Sequence, residues 1–422
     1  MPTHIPYGSP QAAKLVSVAL FAATMQRPTI IGRLTGQFPK QKGSESKLRN
    51  QTSNDYPIVR CRDLEKTAGD EVTFDLVNPI NGKPIMGSDY AEGRGEAMTF
   101  AQDKLRINQT RKPISAGDTM TQQRTPHQIR TIARAQAYGY MQRFEDQLNL
   151  IHLAGARGFQ DNVEWIVPRR SDPDFGKIVV NPVKAPTRNR HFLSTGTGLE
   201  QVSAAAGEIA IATTDTANLD VIDAIRATVD GMPLPPAPCK FTGDVMAEDS
   251  PIRVLLVSNL QYNAIIKSGN FRQLQSQAMA RASQAKNNPL FMGEAGLWNG
   301  ILIVKMPKPI RFFAGDPLYW CADETSETET TTDVVPAAFS TTHAVDRAIL
   351  LGAQSLAEAY GKNRKTGNPY FWSEKELDHG DKLEVLIGMI NGKSKIRFEI
   401  DHGTSVQPTD MGVIAIDTAV AL

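Results

Sequence analysis

EVTFDLVNPINGKPIMGSDYAEGRGEAMTFAQDKLRI, residues 71–107, carries the pattern on which the reading of the fold turns. Val72, Phe74 and Leu76 alternate with polar residues, so they share one face of a strand. Alternation returns at Met98 and Phe100, then at Leu105 and Ile107. Between the two lies a stretch of glycine and proline, with Asn78-Pro79, Asn81-Gly82 and Lys83-Pro84 as turn formers. The spacing predicts a long hairpin. Two strands are too thin to bury a core by themselves, so this hairpin needs a partner surface.

Outward from the hairpin, residues 125–154 read as a helix. Thr125 caps it, Pro126 takes the first helical position and Gln128 completes a capping box. Ile129, Ala133, Ala137, Met141, Phe144, Leu148 and Ile151 recur at helical spacing, and Gly155 marks the stop. At ~1.5 Å per residue the helix is roughly 40 Å long, a spine and not a strut. Residues 160–215 show little period. Leu219–Asp230 reads as a second helix, capped by Asn218 and ended by Gly231, with a proline cluster at 233–238. Ile252–Val257 (IRVLLV) is a continuous apolar run, the mark of a strand buried on both faces. Ser258 and Gln261 form a capping box that starts a helix ending near Gly269, and 271–285 looks helical again. Ile301–Val304 is a further strand, so 252–304 describes a compact α/β unit. Near the C-terminus, Lys382–Ile390 and Lys395–Ile400 flank Asn391-Gly392, a strong hairpin signal, and a last strand is expected within 412–420.

The 422 residues suit two or three folded units. Lys+Arg 46 against Asp+Glu 45 leaves the chain near neutral, without the basic excess of a dedicated nucleic-acid binder. The charge is uneven. Residues 1–49 hold Lys14, Arg27, Arg33, Lys40, Lys42, Lys47 and Arg49 against the single acid Glu45, and residues 1–66 read as an extended arm lying on other subunits. Uniform attraction to phosphates needs nothing more than such lysines and arginines, but only Phe21 and Phe38 stand among them as aromatics for base stacking, so arm-to-subunit contact is favoured over DNA. The acidic run DETSETET at 323–330 is a tolerated surface loop or a contact for a further protein. Cys61, Cys239 and Cys321 form no C-x-x-C pair and fit a reducing cytoplasm. The apolar stretch Leu15–Ala23 is too short to span a bilayer.

Enzyme signatures are wanting. Gly388–Ser394 (GMINGKS) imitates a phosphate-binding loop but is one residue short between its glycines and runs into β-type residues. Gly196-Thr197-Gly198 lacks a third glycine. None of His4, His127, His152, His191, His343, His379 and His402 stands at zinc spacing. Asp220, Asp223 and Arg226 read as a solvated helix face, and Asp378-His379 as a surface pair. No G-x-S-x-G elbow is present. The sequence therefore predicts no catalytic, cofactor-binding or metal residues.

Several stretches, taken in order, resemble the major capsid proteins of tailed bacteriophages with the HK-ninety-seven-type fold. Residues 69–87 (GDEVTFDLVNPINGKPIMG) and 92–114 (EGRGEAMTFAQDKLRINQTRKPI) look like that family's extended loop. Residues 123–158 look like its spine helix. Residues 288–304 (NPLFMGEAGLWNGILIV), 346–362 and 371–399 resemble its later strands. The resemblance covers the chain from about residue 60 onward.

It implies an α+β fold in four parts: an arm over 1–66, an extended loop over 67–112, a peripheral domain with the spine helix over 113–215 and an axial domain over 216–371, with C-terminal strands over 372–422 returning to the peripheral domain. It implies a non-enzymatic shell protein without cofactor. Its partners would be copies of itself in hexamers and pentamers, a portal, decoration or scaffolding proteins, and packaged double-stranded DNA touched non-specifically. No membrane is implied. The place implied is the virion capsid, assembled in the bacterial cytoplasm. Interface candidates are Asn81, Gly82, Lys83 and Arg94 on the loop, and Arg27 and Arg33 on the arm. One branch of the family crosslinks through lysine, and Lys83 and Lys104 lie in the loop, but lysines belong on any exposed hairpin. Two other readings stay open: a non-viral nanocompartment shell, separable by its packaged content, and a soluble hydrolase, separable by its being a monomer with one deep polar cleft.

Overall fold

The computed structural model describes residues 34–36, 51–62, 64, 69–78, 80, 82–87, 89–118, 129–202, 207–241, 251–268, 276, 296–319, 332–364, 367–401 and 406–422. The strands in chain order begin with β1 (Ile58–Cys61), β2 (Glu71–Val77), β3 (Phe100–Arg106) and β4 (Asn108–Asp118), then β5 (His191–Ser194) and β6 (Leu199–Gln201). The middle of the chain supplies β7 (Arg253–Val257), β8 (Gly296–Trp298), β9 (Ile301–Lys305), β10 (Arg311–Phe312), β11 (Pro317–Tyr319) and β12 (Thr332–Val334). The last third gives β13 (His343–Leu351), β14 (Leu356–Tyr360), β15 (Tyr370–Leu377), β16 (Lys382–Lys395), β17 (Arg397–Asp401), β18 (Val406–Asp410) and β19 (Val413–Ala421). Three longer helices are α1 (Ile129–Ala154), α2 (Leu219–Gly231) and α3 (Asn259–Ser268).

Two sheets carry the body. The larger runs β6-β5-β19-β13-β7-β9-β8, with β10 on β13. Its strands are apolar at successive positions because both faces are covered. On one side Val254, Leu256, Leu302, Val304, Val345 and Ile349 meet the end of α1 at Leu150 and Leu153. On the other, Leu255, Val257, Ile301, Ile303 and Leu350 meet Val221, Ile222 and Ile225 of α2 and Tyr262 and Ile265 of α3. The expected α/β unit is present, with β7 and β9 parallel and α3 following β7. Its capping box forms as the sequence predicts: the Gln261 amide donates to Ser258 Oγ and the Ser258 amide to Gln261 Oε1. Asn218 likewise caps α2 by accepting from the Val221 amide.

The smaller sheet runs β1-β14-β16-β15 with β4 against β16. The spine helix α1 lies over it. Ala137, Met141, Phe144, Leu148 and Ile151 pack on Tyr370, Trp372, Val385, Ile387 and Met389. Gly155 ends α1 at φ +66, where the left-handed conformation favours glycine. The predicted cap at Thr125, Pro126 and Gln128 lies outside the described residues, as do 271–275, 277–285, the acidic run 323–330, and Arg27 and Arg33 of the arm.

Two expectations are corrected. Asn391-Gly392 is no turn: β16 runs straight through it, with Asn391 opposite Tyr360 and Gly392 opposite Ala359. The glycine serves close approach. A Cβ on Gly392 would lie 1.8 Å from the Arg106 carbonyl oxygen, so only glycine lets the chain cross there. The strands after 372 also do not all return to the sheet beneath α1. β15 and β16 do, but β19 lies between β5 and β13 in the larger sheet. Its apolar run is buried on both faces, which the larger sheet provides.

Candidate self-assembly surface

The hairpin forms in the register its alternation predicts, from Glu71 opposite Arg106 to Val77 opposite Phe100. Its base is held by the same chain. Val72, Phe74, Leu76 and Ala101 pack with Leu105 against Phe398 and Ile400 of β17. Its tip is not. Beyond the ladder the limbs are joined by Asn78, whose amide donates to the Thr99 carbonyl and whose side-chain nitrogen donates to Thr99 Oγ1. The Gly82 amide donates to Glu96 Oε2 at 2.7 Å. Tyr90 donates its hydroxyl to Glu92.

Apolar side chains crowd this tip and face water: Met86 is 72% exposed, Tyr90 69% and Phe100 63%, with Ile80, Ile85 and Met98 beside them. Isolated exposed apolar groups are ordinary, but six within one exposed excursion make it a candidate interaction surface. Gly82, Lys83 and Arg94 all lie on this exposed excursion. A Cβ on Gly82 would stand 2.3 Å from Glu96 Oε2, so the residue shapes the loop as well as facing outward. Asn81 lies outside the described residues.

The titratable groups of the body are deployed for structure. Arg347, fully buried on β13, donates to both Asp417 carboxylate oxygens at 2.8 Å and to the Ala154 carbonyl at the end of α1. Burial would raise the Asp417 carboxyl, but Arg347 and His191 hold it well below the usual carboxylate range. Arg311 grips Asp346 through two bonds of 2.7 and 2.8 Å, and Ser258 donates to the same carboxylate. Asp410 accepts from Lys395 and Arg397. Glu358, between Arg60 and Lys393, is brought down to about 2 although burial opposes this. Asp146 on α1 goes the other way, pushed up to about 7 by burial, with Lys393 opposing and Glu145 and Glu358 adding to the rise. Burial drops His152 to about 3.

Sequence reasoning missed these buried pairs. The available signal was a charge interrupting an otherwise apolar strand, as Asp346-Arg347 does in β13 and Asp417 in β19. Asp223, read as solvated, accepts from Trp298 Nε1 and Asn299 Nδ2 and so ties α2 to the β8–β9 turn. A cleft of about 380 Å³ beside residues 157–172 holds Arg157, but that guanidinium stacks on Trp165 and donates to the Val167 and Gln160 carbonyls and to Asp161. Among the described residues no cluster of histidine, cysteine or acidic side chains could hold a metal, and no helix is long and apolar enough to cross a membrane.

The profile of the family described as phage capsid protein matches residues 4–422. The chain belongs to that family. This capsid protein resembles the capsid of Ralstonia phage GP4 at 26% identity and a TM-score of 0.67, covering 100% of this chain and 98% of that one. The capsid of cyanophage Pam1 matches at 15% identity and TM-score 0.58, over 91% and 95% of the two chains. The acid-stable capsid of Helicobacter pylori bacteriophage KHP30 matches at 11% identity and TM-score 0.53, over 92% and 94%. The last two show the shared fold. No curated protein sequence matches the chain. The capsid protein thus has the α+β fold of tailed-phage shells, is structural and not enzymatic, and works by self-assembly into an oligomeric shell.

Proposed function

We propose that this major capsid protein forms hexamers and pentamers of an icosahedral head around double-stranded DNA, and that the tip of its hairpin lies across a neighbouring copy. The observation that carries this reading is the exposed apolar set on residues 80–100, which the protein's own body leaves uncovered. Gly82, Lys83 and Arg94 belong to that contact, and Asn81 sits at the same turn by sequence. Arg27 and Arg33 belong to the arm, whose contact is with subunits before DNA. In this reading α1 with the smaller sheet is the peripheral part and the larger sheet with α2 and α3 the axial part. DNA is met non-specifically, through charge alone. A portal and scaffolding or decoration proteins complete the partners, the head is built in the bacterial cytoplasm, and no covalent crosslink through Lys83 or Lys104 is needed. Repetition supplies the strength: each contact is modest, and a closed lattice multiplies it.

Electron microscopy of the purified full-length protein tests the proposal. Closed shells or ring-shaped capsomers are expected. Replacing Met86, Tyr90 and Phe100 together by serine should abolish them while leaving the circular dichroism of the body unchanged. A protein that stays a rigid monomer at high concentration, or a triple variant that assembles like the parent, would overturn it.

A further inference from the structure

The hairpin leaves the body at one place, and the polar contacts there converge on a single side chain. Asp103 faces the body from β3. Both its carboxylate oxygens accept from Lys184 Nζ at 2.6 Å, and Oδ2 also accepts from the Arg397 amide at 3.0 Å. The two side chains are 14% and 12% exposed, so water screens the pair little. Neighbouring contacts come from the same short segment. Asn181 Oδ1 accepts from the Arg106 amide at 2.9 Å, while Asn181 Nδ2 donates to the Arg106 and Lys393 carbonyls. Arg397 donates to the Ala185 carbonyl and to Asp410 Oδ1. Residues 181–185 therefore grip the hairpin base on one side and β16–β17 on the other.

We infer that Asp103, bound by Lys184 and by the Arg397 amide, is a latch that fixes the direction in which the hairpin projects. The apolar base under Val72, Phe74 and Leu105 holds the hairpin to the body, but hydrophobic contact is non-directional and tolerates rotation. A carboxylate seated between an ammonium and a backbone amide does not. With the adjacent Lys104 amide also donating to Oδ1 at 2.8 Å, its four acceptor contacts define one angle, because charge-assisted hydrogen bonds are short and geometrically demanding. Asp103 and Lys184 are thus positioning residues for the tip. The use of that direction rests on the reading that the tip meets another copy, whereas the latch itself is a property of the single chain.

Hydrogen exchange on the unassembled full-length protein tests it, and so reads the latch whether or not shells form. Asp103→Asn and Lys184→Gln should each speed exchange across 71–77 and 100–106 and at the Arg397 amide by roughly tenfold to a hundredfold, the loss expected for a hydrogen bond to a charged group. The amides of α1 should not change, and Lys184→Arg should keep the parent's protection. Unchanged exchange in the hairpin, equal acceleration in α1, or a Lys184→Arg variant as fast as Lys184→Gln would each overturn the latch.

Discussion

At its base the β2–β3 hairpin presses Phe74 and Leu105 onto Phe398 and Ile400, whereas at its tip Met86, Tyr90 and Phe100 stand in water. One ribbon thus has two energetic regimes. The base belongs to a fold that a single chain completes, down to charges such as Arg347 and Asp417 that water never reaches. The tip is finished by something else. If the tip meets a neighbouring copy, as proposed, stability and assembly are carried by different residues, and substitutions should separate them.

The largest effect is expected inside the body. Arg347→Met leaves Asp417 buried without its main counter-charge, and breaking a buried pair from one side costs about 3–5 kcal/mol. Chemical denaturation of the variant reads this directly, and a loss below ~1 kcal/mol would mean that the pair is not the sheet's keystone. Next comes Gly392→Ala, which drives a methyl group into the Arg106 carbonyl where the hairpin joins β4. Overpacking of this kind costs about 1–3 kcal/mol and should fall on both the hairpin base and the smaller sheet.

A pH effect follows from Asp146. Its carboxyl is raised to about 7 in the folded protein, against ~3.9 unfolded. Between these values the folded state keeps a proton that the unfolded state has lost, so this group's stabilising contribution is full below pH ~4, falls as pH rises, and is gone above pH ~7. Asp146→Asn should flatten that slope and leave the protein about 1–2 kcal/mol more stable than the parent at pH 8, as thermal melts at several pH values would show. The smallest effect on stability belongs to the tip. Met86→Ser should change unfolding free energy by less than ~0.5 kcal/mol, since nothing of the body packs on it. A large loss there would erase the distinction between the two regions.

How much of this could be read beforehand depends on range. The spine helix and the hairpin ladder were legible because their signals are local: a 3.6-residue period in one, alternation in the other. The capping box at Ser258 and the cap at Asn218 were legible for the same reason. Of the tip candidates, Gly82, Lys83 and Arg94 fall on the exposed excursion, which turn-forming residues mark. What failed was long-range. Asn391-Gly392 has the composition of a turn, and only the crossing of Arg106 shows why the glycine is needed. β19 reads simply as an apolar strand, and nothing within it says which of two sheets will take it. The Asp103–Lys184 latch joins residues 81 positions apart, and neither has a distinctive sequence context.

One pairing carries a consequence for timing. β1 adds to the smaller sheet in parallel with β14, and the Arg60–Glu358 bridge inside that pairing spans 298 positions. A growing polypeptide can give Ile58–Cys61 only its local bridges to Thr35 and Gln51 until residues 356–359 have emerged from the ribosome. Such distant closures are slow to form and leave strand edges bare in the meantime. The sheet beneath the spine helix is therefore among the last pieces to lock, so a subunit becomes ready for its neighbours only once most of its length has been translated.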